Sequence, residues 1–295
     1  MQYGAQIPVH WKGKSVESLG LGLIAAFLWG LHDFLVRRIG GRANPALLLL
    51  CTETFGVLLL APAAGFSDGW AQLTPISVAM AVVSGFCYTV AAYSLYRAFT
   101  IGPVRLVAPI CGAFPMLSVA FAMLRGQPAG PLVWLGVLAV VGGIAMVTRG
   151  EPGADNADKR RAILWSMLAC VGFAISFGLL QWAAEAGAEL SATLLSRAAA
   201  VLVVLGVVLA QRPPVAPLRP LLPVLALMGA LDLGAVLGIA LAGGLPHAEY
   251  AAVASSIFGI ITILLAWRLL NEPVRAAQWG GVIIVFAGIV GLGLV

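Results

Sequence analysis

Gln127-Pro128-Ala129-Gly130-Pro131-Leu132-Val133-Trp134-Leu135-Gly136 and, 145 positions later, Glu272-Pro273-Val274-Arg275-Ala276-Ala277-Gln278-Trp279-Gly280-Gly281 are two copies of one turn and helix start. The register continues without a gap to Gly143-Ile144 and Gly288-Ile289. A chain of 295 residues is thus read as two units of about 145 residues each. In a chain built for lipid, an internal duplication points towards a transporter, because two halves can rock about a site between them.

The composition supplies the lipid. The chain is 61% hydrophobic and 10% charged, against roughly 25% charged in a soluble domain. Its mean hydropathy is +1.01. The net charge of +5 is no nucleic-acid signal; it poses the question of which membrane side holds the arginines. Cys51, Cys87, Cys111 and Cys170 fall inside apolar runs without a close pair and read as small buried hydrophobes. Residues 1–17 are mixed and polar and do not have the form of a signal peptide. The three histidines, His10, His32 and His247, are scattered, so neither a metal centre nor a catalytic set is expected.

A spanning helix needs about 20 mostly apolar residues. Ten such runs fit: 18–38, 45–63, 75–98, 103–124, 130–148, 162–183, 191–210, 220–242, 246–270 and 276–294. The expected fold is an all-α integral membrane protein, ten transmembrane helices forming two inverted five-helix repeats around a central cavity. The first repeat covers residues 1–148 and the second 162–295. A charged linker, 149–161, with Glu151, Asp155, Asp158 and Lys159, joins them. Five spans per unit is odd, so the second copy enters the membrane in the opposite direction. On the side of the N-terminus lie three Lys and Arg residues; thirteen lie on the other side, and Arg197 lies within a span, which accounts for all 17. The positive-inside rule then places both termini outside the cytoplasm.

Ionisable groups at bilayer depth are costly and usually face a cavity. Glu53 and Arg197, in the repeat-partner spans 2 and 7, are candidates for a buried ion pair, structural or coupling, or for separate networks. Asp232 in span 8 is a candidate for a substrate ammonium or a proton; the structural alternative is a hydrogen bond to Ser255 or Ser256. On span 1 the spacing of Gly22, Ala26, Trp29, Gly30 and Asp33 makes one helical face, the wall of a cavity. The alternative is that His32 and Asp33 cap the helix end and pair with Arg37. Tyr88 and Trp182 are further candidates for cavity aromatics. Ser256 completes the candidate substrate-binding set of Trp29, Asp33, Tyr88 and Asp232. Pro109 and Pro115 in span 4 are fixed kinks or hinges.

Trp29-Gly30 followed by Arg37, Pro115, Arg197 and the turn Leu269-Leu270-Asn271-Glu272-Pro273 with Gln278-Trp279-Gly280-Gly281 resemble the drug/metabolite transporter superfamily in its EamA-type ten-helix branch. The resemblance covers nearly the whole chain. Gln127 stands where that family often has Glu, and Glu53 lies near a position where it often has Arg. The resemblance implies a basket of ten helices with spans 5 and 10 peripheral, no cofactor, and transport of small metabolites. The expectation is an exporter, not an enzyme, moving amino acids or similar amphiphiles across a bacterial inner membrane by alternating access. Its partners are a small-molecule substrate and the lipid bilayer, with no nucleic acid, in a monomer or weak dimer. An importer of a nucleobase, vitamin or other nutrient is the alternative.

Overall fold

The computed structural model describes residues 9–114, 116–117, 130–148, 156–184, 187–243, 245, 251 and 254–293. Among them are ten α-helices: α1 (Val9–Ile39), α2 (Pro45–Gly65), α3 (Pro75–Ile101), α4 (Val104–Cys111), α5 (Pro131–Thr148), α6 (Asn156–Ala184), α7 (Glu189–Gln211), α8 (Leu222–Gly243), α9 (Phe258–Leu269) and α10 (Ala276–Gly293). Two of them start with ordinary side-chain caps. Asn44 Oδ1 accepts from the Ala46 amide at 2.9 Å ahead of Pro45, and Thr74 Oγ1 accepts from the Ser77 amide at 3.1 Å ahead of Pro75. Each half places a short 3-10 helix between its second and third helices, Asp68–Gln72 and Ala216–Leu221.

Six helices are long and apolar enough to cross a membrane, and three more apolar segments, Trp134–Val147, Phe258–Leu269 and Ala276–Gly291, are shorter. The continuous spans expected over 103–124 and 246–270 are not what the described residues form. α4 ends at Cys111 and passes into a turn at Gly112 and Ala113; α9 is preceded by a turn at Ser256 and Ile257. At both breaks the amide bonds reach back three residues, Ala113 to the Ile110 carbonyl and Ile257 to that of Ala254. Pro109, buried within α4, has no amide to give and accounts for part of the first break. Pro115 and Gln127 lie outside the described residues. α6 starts at Asn156, inside the stretch read as the linker.

The packing repeats with the sequence. α3 packs on α6 and α1 on α8; α3 packs on α7 and α2 on α8; α1 packs on α9 and α4 on α6. Each pair becomes its neighbour in this sentence when the first five helices are exchanged with the second five. The remaining extensive pairings, α2 with α7, α4 with α9 and α5 with α10, map onto themselves. The stretch that opened the sequence reading makes the last of these. A Cβ on Gly143 would stand 2.7 Å from the Gly281 carbonyl oxygen, and one on Gly288 would stand 2.9 Å from that of Gly136. The two contacts are the same contact seen from either copy, and small residues at such a crossing let helix backbones touch.

Polar glue holds the centre of the α3, α6 and α7 contact. Ser84 Oγ donates to the Ser176 carbonyl at 2.9 Å and lies 3.2 Å from Ser196 Oγ, all three serines being buried. Gly85, next along α3, leaves no room for a side chain: a Cβ there would collide with the Ser196 carbonyl and lie 2.9 Å from Ala199 Cβ. Gly85→Leu is expected to cost at least about 1–3 kcal/mol through overpacking. Gly206→Leu, at an open position with nothing within 4 Å, serves as the neutral control. Thermal unfolding of both variants in detergent checks the pair; equal midpoints would show that the α3–α7 crossing is loose.

Outward-facing Leu58, Phe86, Leu138, Leu202 and Ile283 are exposed, while Phe99, Leu106, Leu225 and Met228 are buried between helices. An apolar exterior around a packed core is the surface a bilayer covers.

Candidate functional site

Arg197 sits on α7, and a carboxylate approaches from each half. Its NH1 donates to Glu53 Oε2 on α2 at 3.0 Å and its NH2 to Asp232 Oδ2 on α8 at 2.9 Å. The guanidinium carbon lies 3.7 Å from the centroid of the Tyr88 ring on α3, a close cation–π stack. Asp232 uses its other oxygen, Oδ1, to accept from the Trp29 indole N–H on α1 at 3.0 Å. All five side chains are buried. One guanidinium fork thus serves two carboxylates and one ring face, which lysine, a point charge, could not do.

Beside this network, His32 Nδ1 and Asp33 Oδ1 are 3.0 Å apart on α1. Tyr96 of α3 stacks on His32 at 6.2 Å between ring centroids and reaches Thr52 Oγ1 at 3.4 Å through its hydroxyl.

These polar groups border a small cavity of about 40 Å³. Its wall takes Trp29, His32 and Asp33 from α1, Leu49 from α2, and Tyr88, Ala92, Leu95 and Tyr96 from α3. Cys111 of α4 and Phe114 just beyond it, Phe173 and Phe177 of α6, Asp232 of α8 and Phe258 of α9 complete it. The rings touch in sequence: Tyr88 with Phe173 at 5.8 Å, Phe173 with Phe177 at 5.6 Å, Phe177 with Trp29 at 5.6 Å and with Phe114 at 5.4 Å. Its lining, mostly aromatic with a few charged groups, has the composition of a small-molecule site. Among the described residues no three His, Cys, Asp or Glu side chains are placed to share a metal ion.

The structure therefore brings Trp29, Asp33, Tyr88 and Asp232 to one cavity wall and sets Glu53 and Arg197 directly behind it. Ser256 is fully buried and is not in that wall. Several expected pairings are replaced. Asp232 binds Trp29 and Arg197 rather than a serine. Arg37 is bonded to Glu272 rather than to Asp33. Trp182 faces outward, 57% exposed, where it meets lipid rather than cargo. Phe173 and Phe177 were not singled out from sequence, although their spacing of four puts both on one face of α6.

A second polar junction closes the end of α1. Arg37 Nε donates to Glu272 Oε1 at 2.6 Å, and its NH1 donates to the Phe99 carbonyl near the end of α3 at 2.5 Å. Glu272 Oε2 accepts from the Val104 amide, the first of α4, at 2.9 Å. Asn271, in the left-handed region at φ 54°, makes the turn that aims Glu272 inward; Asn tolerates that conformation. One carboxylate therefore ties α1, α3 and α4 to the loop before α10. Glu272→Ala is expected to lower stability by about 1–2 kcal/mol, the pair being partly open to solvent. An unchanged unfolding midpoint in detergent would count against the junction.

The duplicated turn, the exchangeable packing and the cavity between the halves are matched by a family comparison. The model of the EamA-like transporter family fits residues 18–149 and again 160–294. This chain belongs to the EamA-like transporter family. The double match makes it a two-copy member, and membership makes it a multi-pass membrane transporter of small molecules. A crystal structure described simply as that of a protein aligns with TM-score 0.68 at 17% identity, over 95% of this chain and 97% of the other. At that identity it shows a shared fold alone. A search of the curated proteins gave no match.

Within this EamA-like chain the residues bridging the halves are also the residues at the cavity. Trp29, Glu53 and Tyr88 lie in the first family match, Arg197 and Asp232 in the second. The Trp29–Asp232 and Glu53–Arg197 bonds therefore run from one half to the other.

Proposed function

We propose that this EamA-like protein exports small amphiphilic metabolites that carry an amino group, amino acids or amines, across a bacterial inner membrane by alternating access. The observation that carries the reading is the network Trp29–Asp232–Arg197–Glu53, which joins the two halves at the wall of an aromatic cavity. Asp232 and Asp33 engage the cationic group of the cargo. Trp29, Tyr88 and the phenylalanines of α6 cover its apolar body. The Glu53–Arg197 pair holds the halves in register and is the element whose rearrangement couples binding to movement.

Exchange of the halves preserves the helix pairings, which supports a reading of ten crossings in two inverted sets of five with two access states. The breaks at Gly112–Ala113 and Ser256–Ile257 flank the cavity and act as hinges, with Pro109 beside the first. The bias of thirteen positive residues against three supports both termini in the periplasm.

Growth of a producing strain under toxic amino acids and their analogues, with and without the gene, tests export of this class. Counterflow in proteoliposomes with opposed gradients sets the direction. Identical growth with and without the gene, across the panel and with the protein in the membrane, would remove amino acids from the reading. Net uptake from the periplasmic face would reverse its direction.

A further inference from the structure

The charges around the cavity do not balance. Asp33, Glu53 and Asp232 are buried carboxylates, and the buried bases beside them are Arg197 and His32. Arg197 is already committed, with NH1 on Glu53, NH2 on Asp232 and its face on Tyr88, and it is not part of the cavity wall. His32 is engaged with Asp33. Among the described residues of the wall there is no Lys or Arg that would receive a carboxylate. The wall instead offers two carboxyl groups, Asp33 and Asp232, and a run of aromatic faces. Aromatic faces attract cations, and more strongly when water is excluded. A carboxylate buried in excess of its bases takes up either a proton or a positive partner, and a cationic cargo is such a partner.

Resting on the transporter reading above, we infer that the cargo is an organic cation, an amine or quaternary ammonium on an apolar body without a carboxylate, and that zwitterionic amino acids are discriminated against. The ammonium lies against Asp33 and Asp232, and its body lies among Trp29, Phe114 and Phe177. A zwitterion of the same body would bring its own carboxylate towards two others. That repulsion meets no Lys or Arg in the described wall, and such an unpaired charge is how a site rejects a near-isostere.

The test uses four probes with one phenyl ring: phenethylamine, its N-trimethylated form, L-phenylalanine and phenylacetate. The full-length protein is purified for binding by calorimetry and reconstituted in vesicles for flux above protein-free controls. The amine and its trimethylated form are expected to bind and move at least about tenfold better than phenylalanine, with phenylacetate at background. Asp33→Asn should lower amine binding by about tenfold or more, with Asp33→Glu restoring most of it. Phe177→Leu, which keeps the bulk and removes the ring face, should weaken the trimethylated probe in particular. It keeps the test open if Asp33→Asn is not monodisperse. Phenylalanine bound or carried as well as the amine overturns the inference and leaves the transporter reading standing. Tight amine binding without flux of any probe does the reverse. A well-folded protein that binds none of the four overturns the inference as well.

Discussion

Arg197→Met is expected to destabilise the protein by about 3–5 kcal/mol, the largest effect of any single change at the site. Its loss leaves Glu53 and Asp232 as two buried carboxylates without a cation and removes the stack on Tyr88. Glu53→Gln removes one of two negative charges and leaves Arg197 paired with Asp232, so its cost is smaller, about 1–2 kcal/mol. The order matters more than either number. An isolated Glu53–Arg197 pair would make the two variants similarly harmful. A guanidinium shared by two carboxylates makes the arginine change far worse. Unfolding midpoints in detergent, compared with wild type, read this directly, and equal midpoints would show that Asp232 is not a true partner.

Asp232→Asn separates fold from function. The amide keeps an oxygen for the Trp29 indole and leaves Arg197 its pair with Glu53, so the protein should insert and stay monodisperse. It removes one of two carboxylates from the cavity wall and leaves Arg197 balanced one to one. Transport is expected to fall about a hundredfold or more, the loss from deleting one charge-assisted contact that cargo and network share. Wild-type flux in this variant, measured across the probe set in vesicles, would sink the role of Asp232.

The duplication was legible because it is carried by local signals: the lengths of apolar runs and a glycine register that the α5–α10 crossing demands. The Glu53–Arg197 bond was legible because two charges in corresponding apolar runs have few other places to go. The double duty of Arg197 was not. Arg197 and Asp232 sit on neighbouring helices of one half, and which rotamer reaches which partner is decided by tertiary packing. Arg37 illustrates the same limit. Its neighbour one turn back, Asp33, is a fair partner by helix geometry, but the fold brings in Glu272, and Asp33 turns to His32. The breaks beside α4 and α9 escaped hydropathy altogether. An apolar run reads the same whether its backbone is continuous or not, and the second break has no proline within it to announce a bend.

The junction of Arg37 and Glu272 bears on the resting state of the molecule. At the offset of 145, Glu272 answers to Gln127 and Arg37 to Trp182, so no ion pair can be written for the equivalent place at the other end. In a cycle where the halves exchange roles, the two end states would be equally populated if the copies were identical. A tie worth about 1.4 kcal/mol at one end alone tilts that ratio about tenfold. The empty carrier then waits with its Arg37 end shut. Loosening two residues at the rim would turn it towards the other compartment, with nothing in the cavity altered.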